Sequence, residues 1–316
     1  MKTIIGIDIG GTKTAVVEGT SEGEILERHE IQTESFIQTF PLINNLIESF
    51  IETAAHSNRQ VIALSISVGG PLKITEGQLI DPPHLPGWHG VHLSAEFSRQ
   101  FPHLPIYVEH DGNAGALAEY HFGVGKGRAD LYHLIFLTFG TGLGAGIIVN
   151  GRIVHGASDT AGEVGHWRLA AHGPVGFGKA GSWEGCASGR GLVLLAHQMF
   201  PKRWPIDTPI RKFVSDVLSD DRDALVVIEE AGRWMGQGLA LLVDVLNPQI
   251  IVLGSLATVL GERILGPARA VLAQESLPQA MAACEIVPAK LGERIGDVAS
   301  LMAALSQPEI LNKLSE

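Results

Sequence analysis

Cysteine is nearly absent: Cys186 and Cys284, about a hundred residues apart, are the only two in 316 residues. That excludes a disulfide-stapled scaffold, and both are expected as buried free thiols in a reducing compartment. Positive charge is scarce as well. Lys and Arg total 23 against 34 Asp and Glu, a formal net charge of -11, and no local basic patch offsets it, which argues against a nucleic-acid partner. Long apolar runs are missing too. The opening MKTIIGIDIGG has no extended hydrophobic stretch behind its lysine, and no later window reaches the roughly eighteen uninterrupted apolar residues of a membrane span. A cytoplasmic location and no membrane partner are expected. What is plentiful is aliphatic and small: 45% hydrophobic residues and 38 glycines. The length favours two lobes, with one large domain as the alternative.

Short β-branched runs read as strands: TIIGIDI (3–9), QVIALSISV (60–68), PIYVEHD (105–111), LYHLIFLTF (131–139) and QIIVLG (249–254). Helical patterns lie between them, around 36–55, from 112, from 189, and over 223–247, so the fold class is α/β. In IIVNGRIV (147–154) the Asn-Gly pair predicts a tight hairpin, which makes the sheets mixed. A glycine-rich strand-turn-strand occurs twice, as IGIDIGGTKTAVV (5–17) and FLTFGTGLGAGIIV (136–149), which points to duplicated halves facing one cleft. The boundary is expected near 120–130, in HFGVGKGRAD.

Three stretches carry chemistry. In DIGGTKT (8–14), Gly10 and Gly11 allow close backbone approach to a bulky anion, Thr12 and the following amides donate to phosphate oxygens, and Asp8 faces a cation. An ordinary hairpin preceded by an acidic residue fits the same letters. The second turn, TFGTGLGAG (138–146), again offers consecutive donors with little side-chain bulk. Neither is a P-loop or a dinucleotide fingerprint. In VEHDGNAGALAE (108–119) a strand delivers Asp111 to the start of a small-residue helix, where it suits a base accepting a hydroxyl proton in phosphoryl transfer. It equally suits an N-cap.

These motifs, with GGPL and LPGW (69–72, 85–88), GASDTAGEVGH (156–166), WE-x-x-ASG (183–189), NPQIIVLG (247–254) and LGERIGDVASLMAA (291–304), resemble the ROK family of sugar kinases and repressors. That family belongs to the actin, hexokinase and Hsp70 ATPase superfamily, and the resemblance runs from about residue 3 to 305. It implies two ribonuclease-H-like lobes, 1–121 with about 293–316 and 122–292, closing on ATP-Mg2+ and a sugar. It implies Asp111 as general base toward a sugar hydroxyl, most often the 6-OH, and Asp8 holding magnesium, usually through water. Phosphates would lie at Gly10, Gly11, Thr12 and Lys13 and at Gly140, Thr141 and Gly142, with adenosine by Gly254. Sugar contacts would be Gly70, His84, His110, Asp111, Glu163, His166 and Glu184. Relatives are usually dimers or tetramers.

The chain departs from the family pattern in two places. Zinc-binding members pair the histidine at His166 with three cysteines, here Val175, Phe177 and Ser182; His166 and His172 alone do not make a tetrahedral site, so no zinc is expected. Phe177 and Trp183 stand where an apolar cluster would replace the metal, and His172 reads as a loop histidine. Two asparagines of the sugar side are also replaced, by His84 and His110, which favours a modified, linked or otherwise unusual sugar over glucose; the other reading is that His110 packs structurally. The implied function is an ATP-dependent sugar kinase, with polyphosphate as an alternative donor and a catalytically silent sugar or nucleotide sensor as the alternative reading. A family repressor would carry an N-terminal helix-turn-helix, whereas this chain enters its first strand at residue 3.

Overall fold

A computed structural model describes residues 1–315; residue 316, the end of the expected 293–316 segment, lies outside the described residues. The chain divides into two compact units. The first comprises residues 1–126, 153–161 and the C-terminal segment from Glu293; the second comprises 127–152 and 162–292. The excursion 153–161 had been expected with the second lobe.

The first unit is organised on a five-stranded sheet in the order Ile25–Gln32, Lys13–Gly19, Lys2–Ile9, Gln60–Val68, Ile106–His110. The first three strands are antiparallel, and the last two join Lys2–Ile9 in parallel. The sheet centre is buried on both faces, as a covered parallel region requires: Ile5, Ile7, Val16, Leu64 and Ile66 on one face and Ile4 and Val17 on the other are all fully buried. The helix Phe36–His56 contributes Ile43, Ile47 and Phe50 to this core, and Trp88 of LPGW is buried in it with its indole N–H donating to the Glu34 carbonyl at 2.8 Å. A fully buried Glu18 is held by both ends of Arg59, at 2.9 and 2.8 Å. Parallel strands leave their carboxyl ends aligned. That is why Asp8, at the end of Lys2–Ile9, and Asp111, immediately after Ile106–His110, emerge on one edge.

The second unit repeats the pattern. Leu134–Leu137 pairs antiparallel with Ala145–Val149 and parallel with Ile250–Leu253, which pairs parallel with Glu285–Pro288. The Asn150-Gly151 turn has positive φ at both residues, 52° and 72°, as an Asn-Gly hairpin requires. The long helix Arg222–Leu246 starts at an Asp221 cap whose carboxylate accepts from the amides of Asp223 and Ala224, and it ends at a left-handed Asn247. Both cysteines are free. Cys186 is buried and Cys284 only half-buried, and burial pushes both thiols up to about 12, so neither is a ready nucleophile. No helix among the described residues is long and apolar enough to cross a membrane.

Candidate functional site

In the first unit the chemistry gathers at the carboxyl edge of the sheet. Asp111 is the first residue of the helix Asp111–His121, and the N-cap is His110, whose Nδ1 accepts from the Gly112 amide at 3.2 Å. Asp111 Oδ1 receives the same amide at 2.6 Å, and the side chain stays 48% exposed. The carboxylate is therefore oriented by the backbone yet open to a substrate. Gly112 through Glu119 are all buried, which explains the run of small residues that follows the acid.

Asp8 lies opposite Ser67 in the parallel register. Its carboxyl is pushed up to about 7, chiefly by burial and then by the negative charge of Asp111, with Asp297 adding to the rise; Ser67 and Arg28 work in the other direction. Asp297 is itself held by the Arg28 guanidinium at 3.0 Å. A Cβ built at Gly296 would stand 2.7 Å from Asp8 Oδ2, so the helix start that follows is pressed onto this carboxylate. Mutually repelling carboxylates in partial burial form a place where a hard divalent cation relieves strain. Magnesium needs only one or two such oxygens besides waters and phosphates. The residues thus fit the ion. Replacing Asp8 by Asn is expected to raise the melting temperature of the protein at pH 8. The sign follows from the raised folded-state value: the charged form costs stability above pH 7, and the cost fades as pH falls toward the ordinary carboxylate range, so the gain must shrink toward pH 4. Differential scanning fluorimetry across pH checks it.

The glycines of the first turn serve close approach rather than unusual dihedrals. Neither Gly10 nor Gly11 has positive φ. A Cβ at Gly11 would stand 2.6 Å from the His84 carbonyl oxygen, and one at Gly10 would stand 2.9 Å from that of Lys13. His84 is exposed on the loop fixed by Trp88. The Thr12 carbonyl accepts from the Thr33 amide, and Lys13 forms an ion pair with Glu30 on the neighbouring strand. Gly70 packs against the His110 ring, 2.8 Å from a built Cβ.

Sequence reasoning missed one participant in this unit. Glu109 is buried, and its Oε2 meets His155 Nε2 at 2.9 Å. Glu109 belongs to a motif that had been noted, but nothing in the local pattern marks His155 as its partner 46 residues away.

In the second unit the glycine turn abuts the start of the helix Gly189–Met199. The amides of Gly189 and Arg190 donate to the carbonyls of Gly140 and Thr141 at 2.8 and 3.2 Å. Gly140 and Thr141 line a cavity of about 420 Å³ together with Arg190, Asp207, Thr208 and Ser255. Gly254 adjoins that lining through Ser255, and its own Cβ position is closed by the Leu137 carbonyl at 3.0 Å. Gly142 faces Glu184, whose Oε2 would stand 2.8 Å from a built Cβ and accepts from the Leu143 amide at 3.0 Å. Glu184 therefore anchors the turn. Arg190, Asp207 and Thr208 were not anticipated, because exposed polar residues with no periodicity carry no signal until a fold surrounds them. A larger depression of about 660 Å³ beside Met1, Glu22 and Arg59 includes none of the residues singled out from sequence.

His166 closes a short helical turn three residues after Glu163, with Nε2 to Oε2 at 3.9 Å. Its ring stacks on Phe177, centroids 3.6 Å apart at 21°. Trp183 is not part of that pair; it stacks instead on Trp167 at 5.7 Å. The expected single cluster is thus two separate stacks. Each position at which zinc-binding members carry cysteine has another occupation here: Val175 is exposed on a small hairpin, Phe177 stacks, and Ser182 caps the following turn by accepting from Gly185. His172 is exposed. Among the described residues no group of three or more His, Cys, Asp or Glu is disposed to hold a metal. Phe177 holds φ at +52°, strained for a bulky side chain. Phe177→Gly is expected to relieve the backbone while releasing the His166 ring, giving an unchanged or higher melting temperature by differential scanning fluorimetry although the ring stacking is lost.

Two mixed sheets of the same hairpin-plus-parallel pattern, each followed by glycine turns at strand ends, define an actin-like two-lobe α/β ATPase fold. Residues 4–305 match the ROK family, and the chain belongs to it. It is 32% identical to a glucokinase of Streptomyces coelicolor over 283 residues, covering 85% of this chain and 86% of that one. It is 30% identical to a xylose repressor of Caldicellulosiruptor bescii, covering 97% of this chain and 80% of that one. Its fold is similar to a ROK family glucokinase of Streptomyces griseus in complex with glucose and AMPPNP, with a TM-score of 0.78 at 29% identity over 96% of this chain and all of the other.

Proposed function

We propose that the chain is an ATP-dependent carbohydrate kinase and that its two compact units are the catalytic lobes. The observation that carries this reading is Asp111: a half-exposed carboxylate fixed at a strand-to-helix corner by the Gly112 amide, beside the electrostatically strained Asp8. In this reading Asp111 orients the sugar hydroxyl and accepts its proton as the bond from that oxygen to the γ-phosphorus forms and the bond from the γ-phosphorus to the bridging oxygen breaks, releasing ADP. Asp8 would hold Mg2+, and the ion would supply neutralisation of phosphate charge. Gly10 and Gly140 donate within their own turns, so the amides offered to phosphates are those of Gly11 and Thr12 and of Thr141 and Gly142, and the 420 Å³ cavity takes the adenosine with Arg190, Asp207 and Ser255 at its wall. Gly70, His84, His110, Glu163, His166 and Glu184 face the sugar. Because the His110 ring also caps its helix and packs on Gly70, substitution there changes both the capping and the shape of the sugar site. The imidazoles of His84 and His110, where the family pattern has asparagine, support an acceptor other than plain glucose.

A second reading, a sugar-responsive regulator without turnover, has a specific observation behind it: glucokinases and xylose repressors are alike among the relatives at similar identity. An ATP-consumption screen over monosaccharides, disaccharides, amino sugars and sugar alcohols separates the two. Sugar-dependent ADP release supports the kinase; a sugar that raises the melting temperature without ADP release supports the regulator.

A further inference from the structure

We propose that His155 is a positioning residue for the Asp111 corner, acting through the buried carboxylate of Glu109; the proposal rests on the reading of Asp111 as the base. Glu109 occupies the penultimate place in the strand Ile106–His110, and its side chain is 7% exposed. Its Oε1 accepts from the main-chain amide of His110 and from Asn113 Nδ2, both at 2.9 Å. One oxygen thus holds the residue before Asp111 and the residue two places after it. The other oxygen, Oε2, meets His155 Nε2 at 2.9 Å.

A carboxylate buried among neutral donors is incompletely compensated, and a cation at its second oxygen completes the set. His155 supplies a ring N–H at that oxygen and, when protonated, the cation. The hydrogen bond to Glu109 raises the imidazole above its ordinary value against the opposing effect of burial, and Asp159 adds to the rise. Glu109 and Asp159 are the charged groups acting on the ring, while His110 and Asp111 lie on the corner itself. His155 is fastened in turn. Its carbonyl accepts from the Ala161 amide at 3.0 Å, and Asp159 accepts from the Ile74 amide at 2.9 Å, so the whole segment 153–161 is tied into the first unit. The sign is fixed by the raised value: the clamp is complete below the ordinary histidine pKa and is lost as pH rises through the folded-state one. His155 touches no reacting atom; it fixes the backbone from which Asp111 projects.

The test combines His155→Leu, His155→Gln and Glu109→Gln in the full chain. By NMR, His155 is expected to titrate above about 6.5 and to return toward it in Glu109→Gln. In His155→Leu, amide exchange at His110 and Gly112 accelerates and kcat falls roughly ten- to a hundred-fold, with KM for sugar and ATP within about two-fold, since the lesion moves the base rather than the binding groups. His155→Gln keeps a donor without the charge, so its kcat matches the lower level the wild type reaches at alkaline pH and shows no further alkaline decline. Wild-type kcat and exchange in His155→Leu would overturn the proposal, as would a lowered melting temperature with both unchanged. If the wild type itself releases no ADP with any sugar, the kinase reading fails instead, and unchanged exchange at the corner then also overturns the positioning claim.

Discussion

Asp111→Asn is expected to lower turnover roughly 100- to 10,000-fold, the range for loss of a positioned proton acceptor, while sugar affinity stays within a few-fold of wild type. The substitution is a clean one in this setting. Asparagine keeps an oxygen for the Gly112 amide, so the corner formed by His110, Asp111 and Gly112 persists. What disappears is the negative charge and the capacity to take a proton. A second signature follows from the electrostatics: Asp111 is one of the groups holding the Asp8 carboxyl up at about 7, so its removal makes Asp8 more acidic. A kinetic loss with unchanged calorimetric sugar binding matches this account. Near-normal turnover would remove Asp111 from the role of base and leave it as a helix-start residue.

Gly238→Ala is expected to destabilise the protein by about 1–3 kcal/mol in chemical denaturation, against intrinsic helix propensity, which alone gives a gain of about 1 kcal/mol for the same change. Packing decides the sign. Gly238 lies within the helix Arg222–Leu246, and a Cβ there would stand 2.0 Å from Trp183 Cε2 and 2.3 Å from Cζ2. The indole has nowhere to move, because it is fully buried and stacked on Trp167 at 5.7 Å, while its main-chain amide donates to the Trp167 carbonyl at 2.8 Å. Displacing Trp183 shifts the next residue, Glu184, which anchors the second glycine turn through Leu143. Weaker ATP binding should therefore accompany the loss of stability. A Gly238→Ala protein more stable than wild type would show that the Trp183 environment yields more easily than its burial implies.

The parts of the fold that were legible in the sequence are those whose side chains obey one environment. Gln60–Val68 beyond Ile62 and the whole of Ile250–Leu253 are buried because both faces are covered, and they announce themselves as mostly aliphatic, β-branched runs. The edge strand Ile25–Gln32 does not. ILERHEIQ is mostly exposed, and it is a strand only because its register with Lys13–Gly19 holds it, a non-local cause. The same division runs through the site. Asp8, Asp111 and the two glycine turns were readable because strand ends and small residues leave a local mark. His155 was not readable, since its role depends on a contact with Glu109 made by an excursion of chain across 46 positions. Phe177 was half readable: its place in the pattern marked it, but its stacking on His166 and its left-handed backbone appear only in three dimensions. Gly10 and Gly11 were legible as positions of close approach, but that the His84 and Lys13 carbonyls are what crowd them appears only in the fold.

The central claim is phosphoryl transfer to a sugar, and ³¹P NMR of the wild-type protein with MgATP and the sugar that most raises its melting temperature tests it most directly. The expected result is a phosphomonoester resonance growing in step with ADP and absent in Asp111→Asn. Saturable sugar binding with ATP left intact, or phosphate released without a sugar ester, would contradict the account.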